Sequence, residues 1–315
     1  MAVELGKINR RGKQYSVRSI PIGQNNRLII KGGLIKTGEV FDEFWIRRQE
    51  MPGLPEIVDQ LIHRRDRPDI LTSCQKLPNI APLYAYYYEW DNIAVVQFES
   101  YKEWFEKQVA RDARSQIRKS AREGIRTEIV PFTDDFVNGI YSIYNEIPVR
   151  QGRKFWHYGK DTDTVKQENG TYLDRSVFIG AFYEDQLAGF IKIVFDEEVA
   201  MLMQILSKSA FFGKRPNNAL LAKAIEVCEQ RQAHYLTYGQ YAYGKKERSS
   251  LIEFKKSFGF KKVDIPRYYI PLTFRGRVAL KLRLHKGLRD CLPASLNTRL
   301  IWIRAKLYRL HRSSS

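Results

Sequence analysis

Cysteine is scarce in this chain: Cys74, Cys228 and Cys291 stand far apart and are odd in number. They form neither a disulfide framework nor a metal-ligand spacing, which points to reduced thiols in a cytoplasmic protein. Long apolar runs are missing as well. The longest are broken within about ten residues, against the roughly 20 needed to cross a bilayer. The opening stretch MAVELGKINRRGKQYSV has no apolar segment of the kind that directs secretion. No P-loop, no nucleophile elbow and no His/Cys/Asp cluster with zinc spacing occurs, so neither a metal nor a covalent cysteine intermediate is expected. Acidic residues are outnumbered, 35 against 53 Lys and Arg, for a formal charge of +18.

What is present suits a folded, basic protein. Apolar residues make up 43% of the 315 and aromatics 13%, enough for a sizeable core in one large domain or two modest ones. The positive excess attracts polyanions without choosing among nucleic acid, phosphorylated cofactors and an anionic membrane face. It is uneven: residues 274–315 carry eleven Lys/Arg and one acid, Asp290, which places +10 of the +18 there.

Residues 1–30 read as polar and loop-like. RLIIKGGLIK (27–36) and EVFDEFWIRR (39–48) read as extended stretches joined at a Thr37-Gly38 turn, with a helix after Pro55 and a buried strand at 91–98. A long helix is expected over about 101–123, capped by Gly124. It would carry a basic stripe of Lys107, Arg111, Arg114, Arg118 and Arg122 and an apolar face of Val109, Ala113, Ile117 and Ala121. From Ile125 the pattern predicts a strand, helices at 134–147 and 162–168, and three strands at 176–183, 187–195 and 199–206. A helix at 217–231, a strand at 234–239, a helix at 246–258 and a strand at 261–272 follow.

That order, ending in Phe258-Gly259-Phe260, resembles the GNAT acyltransferase domain over roughly residues 115–272. The resemblance implies an α/β (α+β) fold with a mixed, mostly antiparallel twisted sheet flanked by helices. In it, a splayed strand carrying Gln204, Ile205 and Leu206 would present backbone groups to an acyl donor. Two departures from the acetyl-CoA pattern stand out. The glycine-rich turn is replaced by FFGKRPNNAL, with Gly213 alone followed by Lys214 and Arg215. The position of the usual acid tyrosine is Lys255, preceded by Phe254. A Phe-Lys pair close before Phe-Gly, the helix RSQIRKSAREGI (114–125) and RPNNALLAKAIEVC are similar to the FemAB-like branch, the Fem family of peptidoglycan-bridge aminoacyl ligases. Residues 1–100 would then be an N-terminal subdomain, a shortened GNAT-like half. Residues 101–272 would be the transferase domain, and 273–315 a basic amphipathic helical tail.

The resemblance implies an N-acyltransferase that moves an acyl or aminoacyl group from acyl-CoA or aminoacyl-tRNA to an amine, with no tightly bound cofactor. Lys255 would stabilise the oxyanion or the leaving group. His157 is the candidate general base, with a pKa expected close to neutral. Donor contacts would come from Gln204, Ile205, Leu206, Lys214, Arg215 and Phe254, and from Asn217 and Asn218, which could instead cap the helix. The acceptor would meet Trp156, Tyr158 and Lys160 in the aromatic loop, and Tyr238, Gln240, Tyr241 and Tyr243 after the fifth strand of this domain. Acceptor classes left open are a small amine, a polysaccharide amino sugar and a peptidoglycan precursor, the last soluble or lipid-linked. Leu296, Leu300, Ile303, Leu307 and Leu310 lie at helical spacing between basic residues. That helix could dock on its own domain, bind tRNA or lie on the inner membrane face. The contrasting alternative is a non-catalytic GNAT-like module that binds nucleic acid or an envelope component.

Overall fold

A computed structural model describes residues 4–10, 13–23, 26–150, 152–243 and 249–286. The chain opens with a meander, β1 (Glu4–Arg10), β2 (Lys13–Ile22) and β3 (Asn26–Lys31), where a polar loop was expected. Its dense charge disguises the strands, but Ile20, Ile22, Leu28 and Ile29 are buried. The next turn falls at 32–36, so Thr37 and Gly38 lie inside β4 (Thr37–Val40), and 41–46 turns away from the sheet. Helix α1 (Leu54–Ile62) carries proline in its first turn, where a missing N–H costs nothing, and buries Leu54, Ile57 and Leu61. It leads to β5 (Ile70–Cys74), which lies parallel to β4. Strand β6 (Tyr88–Gln97) ends this part.

The expected helix over 101–123 is broken. A turn, α2 (Tyr101–Glu103), runs into a π-helical segment at 104–108, and Val109 and Ala110 are extended before α3 (Arg111–Arg122). The break serves packing: the Ala110 N–H bonds the Ser257 carbonyl, and the Trp104 indole N–H donates to Phe258 O at 3.0 Å. Ser120, not Ala121, completes the buried face of α3 with Ala113. Next come β7 (Ile125–Val130), α4 (Asp134–Tyr144), the short pair β8 (Val149–Arg150) and β9 (Arg153–Lys154), and α5 (Thr162–Asn169). The antiparallel strands β10 (Ser176–Tyr183), β11 (Gln186–Asp196) and β12 (Val199–Ser207) follow. Helix α6 (Pro216–Gln230), β13 (Tyr235–Thr237), α7 (Ser250–Ser257), β14 (Lys261–Pro271) and α8 (Phe274–Lys281) follow, and a 3-10 turn at Leu284–Lys286 ends the described residues. The expected helix at 295–310 lies outside the described residues.

Among the described residues one 12-stranded, mostly antiparallel sheet runs β1-β2-β3-β4-β5-β14-β6-β13-β12-β11-β10-β7. Strand β14 inserts between β5 and β6, antiparallel to both, and so joins the two halves. The halves repeat one motif: antiparallel strands, a helix, then a strand parallel to the last. It is β2-β3-β4-α1-β5 in the first and β10-β11-β12-α6-β13 in the second. In the second half, α3 and α6 cover one face over Ile191, Ile193, Leu221 and Ile225. Helices α4 and α5 cover the other over Phe136, Ile140, Val165, Phe178 and Phe190. Each such fully buried side chain is worth about 1.5–3 kcal/mol, and this two-sided burial holds β12 between both helical layers.

Candidate active site

The strands β12 and β13 pair only at Val199–Met201 and Tyr235–Thr237. Beyond Met201, β12 stays with β11, Ile205 opposite Ile191 and Leu206 opposite Phe190. The chain after β13 stays with β6, Tyr238 N–H donating to Ala94 O at 2.9 Å. Two parallel strands that keep different partners must separate, and they leave a wedge between Met203–Ser207 and Tyr238–Gln240. A register shift opposite Lys192 and Ile193 puts the extra residue of a bulge at Met203, where the splay begins.

Lys255 lies beside this wedge, bonded to the chain that follows β13. Ser249 caps α7 by accepting the Ile252 N–H, and the helix turns Lys255 inward until it is 0% exposed. Its Nζ donates to Gln240 O at 2.6 Å. It also lies 4.6 Å from the Tyr238 ring centroid and 5.3 Å from that of Tyr243. Burial pushes the amine down to about 8. The ammonium is thus held by one carbonyl and two ring faces, which leaves donor capacity for an incoming oxygen.

Alternation along β12 divides the predicted strand residues between the two faces. Ile205 packs on the α3/α6 side, as do Phe254, Tyr238 and Tyr241, whereas Leu206 packs against the α4/α5 cluster. Gln204 also lies on that second side: its Nε2 donates to the Tyr144 hydroxyl at 2.8 Å and lies 3.3 Å from His157 Nε2. The face of Gln204 is therefore the one His157 occupies, and not the Phe254 side with which it was grouped. Burial, with Lys160 and Arg150 nearby, pushes His157 down to about 3, far from the near-neutral value expected. At neutral pH the imidazole is uncharged and a weak base, and its buried Nδ1 has no partner among the described residues. Lys160 is tied to Glu168 at 2.6 Å and sits 3.9 Å from the Trp156 ring centroid. Trp156, Tyr158 and Tyr243 remain exposed.

The segment after β12 holds an anion of the chain's own. Glu146, just past α4, accepts the Ser209 N–H at 2.6 Å and the Ala210 N–H at 2.9 Å, and pairs with Arg150 at 3.1 Å. Lys214 lies 4.0 Å from the Tyr183 ring centroid and 3.6 Å from Glu123. Arg215 adopts a left-handed conformation (φ 62°) and precedes α6 without a side-chain cap, so neither Asn217 nor Asn218 caps that helix. Asn217 Oδ1 is buried without a partner. Tyr144, Glu146 and Arg150 escaped the sequence assignment. Tyr144 falls at the apolar spacing of the helix predicted over 134–147, which hides the use of its hydroxyl, and the Glu146–Arg150 spacing of four was the one signal that could have exposed the pair.

Among the described residues no group of three His, Cys, Asp or Glu could hold a metal, and no helix is long and apolar enough to cross a membrane. Burial pushes the Cys74 thiol up to about 12 and raises Cys228 as well, so neither is a ready nucleophile. Lys255 lines neither the cleft of about 470 Å³ between Gln97 and Lys261 nor that of about 540 Å³ between Thr72 and Arg267.

No family model matches the chain, and no curated protein matches it. Solved structures do. FemX superposes with a TM-score of 0.57 at 10% identity, over 84% of this chain and 90% of that one. The C-terminal domain of a putative lysylphosphatidylglycerol synthetase from Agrobacterium fabrum gives 0.55 at 13% identity, over 84% and 87%. L-PGS from Bacillus licheniformis gives 0.51 at 14% identity, over 84% and 86%. At such identities the likeness establishes the fold alone: the mixed, mostly antiparallel sheet flanked by helices expected from the sequence is shared with FemX and the synthetase domain.

Proposed function

We propose that this chain is an N-acyltransferase that moves an acyl or aminoacyl group from an activated ester or thioester to an amine. The observation that carries the reading is Lys255, an ammonium with no carboxylate partner among the described residues, beside the wedge between β12 and β13. The amine lone pair attacks the donor carbonyl carbon, forming the C–N bond, and the carbonyl π pair moves to oxygen. Lys255 Nζ–H donates to that oxyanion, and the backbone edge of Met203–Ser207 aligns the acyl chain. Collapse breaks the C–O or C–S bond, and the leaving oxygen or sulfur takes up the proton lost by the amine. At neutral pH an amine near 8 is mostly protonated, as a donor must be. His157, neutral and buried, positions Gln204 and Tyr144 on the acceptor side and does not carry the proton.

Between the two donors the reading favours aminoacyl-tRNA. A CoA pyrophosphate needs free amides after the splayed strand, and the Ser209 and Ala210 amides already hold Glu146. The charge of +18 suits a polyanionic donor. One of the structural neighbours is named as a putative lysylphosphatidylglycerol synthetase, in keeping with aminoacyl transfer. The acceptor would be an amine of a cell-envelope precursor, soluble or lipid-linked, reached from the cytoplasmic side. Charged bulk tRNA and acetyl-CoA, each supplied with amine-bearing envelope precursors, test the reading. Label transferred from tRNA supports it, label from acetyl-CoA alone reverses the donor choice, and no transfer with salt-sensitive RNA binding favours the non-catalytic module.

A further inference from the structure

Helix α8 is built inside out for a helix that packs on its own domain. Thr273 caps it by accepting the Gly276 N–H at 3.1 Å, and the face laid on the sheet is its smallest, Gly276 and Ala279. The contact is close: a Cβ at Gly276 would stand 1.9 Å from the Asp69 carbonyl oxygen. The large apolar side chains point away. Phe274, Val278 and Leu282, spaced four apart and so on one stripe, are 71%, 39% and 60% exposed. A neighbouring loop adds Leu34, 85% exposed. That loop runs beside α8 because the Lys36 N–H donates to Asp69 Oδ2 at 2.9 Å, and Asp69 also accepts from Thr273.

Charge surrounds the stripe. Residues 274–286 contain Arg275, Arg277, Lys281, Arg283 and Lys286 and no acid. Arg275, Arg277 and Lys281 are exposed along the helix, and the Arg277 guanidinium sits 5.9 Å from the Phe274 ring centroid. A stripe of apolar side chains bordered by cations needs a surface that is anionic at its rim and apolar just beneath. A nucleic acid offers the charge but no apolar depth for Phe274 and Leu282. A second copy docked through the same face would bring like charges together. The chain beyond 286 is itself net positive, with six Lys/Arg and one Asp, and brings no charge complementary to this rim.

We propose that the outer face of α8, with Leu34, seats on an anionic phospholipid surface. Phe274, Val278 and Leu282 enter the acyl-chain boundary while Arg275, Arg277 and Lys281 meet phosphate headgroups. The face lies at the far end of β14 from Lys255, and β14 is eleven residues long. At about 3.3 Å per residue the two are separated by about 35 Å of strand, so docking leaves the wedge accessible. This proposal stands apart from the acyl-transfer reading and fails or holds separately.

The test is flotation of the full-length protein with vesicles of phosphatidylglycerol and phosphatidylcholine (3:7), against pure phosphatidylcholine, at about 0.1 M salt, where surface charge is screened within about 10 Å. The wild type floats with the anionic vesicles only and is released by high salt. Phe274→Ser/Leu282→Ser, and separately Arg275→Gln/Arg277→Gln/Lys281→Gln, each lower bound protein at least tenfold, with an unchanged melting temperature. Phe274→Trp keeps binding and adds emission that shifts to the blue on anionic vesicles. Wild-type binding by both multiple variants would assign any lipid contact to other residues and overturn the proposal. So would a loss of stability or of a dimer in the Ser variant, since the stripe would then be covered by protein.

Discussion

Replacing Lys255 by methionine keeps the length of the side chain and removes its charge. Burial holds the amine at about 8 against an ordinary 10.5, a cost on the order of 3 kcal/mol at ~1.4 kcal/mol per pH unit. The sign follows from proton counting. Between pH 8 and 10.5 the unfolded chain keeps the proton that the folded protein has released, so stability rises with pH across that window. Below pH 8 both states are charged and the full cost is present. Methionine removes this cost but leaves Gln240 O without its donor, a loss of about 1–2 kcal/mol. The variant should therefore be about 1–2 kcal/mol more stable than wild type at pH 7, and its advantage should vanish or reverse by pH 10. Urea denaturation at the two pH values measures both differences. A Lys255→Met protein that is less stable at pH 7, or an advantage equal at both pH values, would show that the ammonium is structural and refute its assignment as a strained donor.

Three further outcomes follow from the same geometry. Because His157 is held at about 3, wild-type stability should fall as pH drops from about 6.5, where the unfolded imidazole gains its proton; His157→Gln should lose that dependence, and an identical urea-midpoint profile would contradict it. Glu146→Ala should leave two amides and Arg150 without their anion and raise affinity for coenzyme A at least tenfold by calorimetry; unchanged affinity would mean those amides are not what excludes the pyrophosphate. Glu168→Gln should strand the Lys160 ammonium in its buried site and lower stability by about 2–3 kcal/mol, read from the urea midpoint, while a loss under about 0.5 kcal/mol would mark the pair as solvated.

The second half of the fold was legible because its strands alternate or run apolar between clear turns, such as Glu184-Asp185 between β10 and β11. The first half was harder. In β2 the sequence KQYSVRSI alternates, but so many of its members are polar or charged that it reads as loop. In β5, ILTSC is buried at every position, so alternation gives no signal there. The break at Val109 and Ala110 was invisible because helical spacing continues in register across it. Insertion of β14 between β5 and β6 rests on pairings nearly 200 residues apart, which no local pattern encodes. At the site, Lys255 was legible through the resemblance carried by Phe254-Lys255 close before Phe258-Gly259. The place of Gln204 was not, because the bulge at Met203 shifts the alternation that would have assigned its face.

Transfer of a labelled aminoacyl group tests the central claim most directly. Bulk tRNA charged with radiolabelled amino acids is mixed with the protein and amine-bearing envelope precursors, and acid-stable label is counted on the amine. The wild type should form a new amide, and Lys255→Met should do so about 10²–10³-fold more slowly, the usual loss when one oxyanion donor is removed. Equal rates for the two proteins would contradict the account.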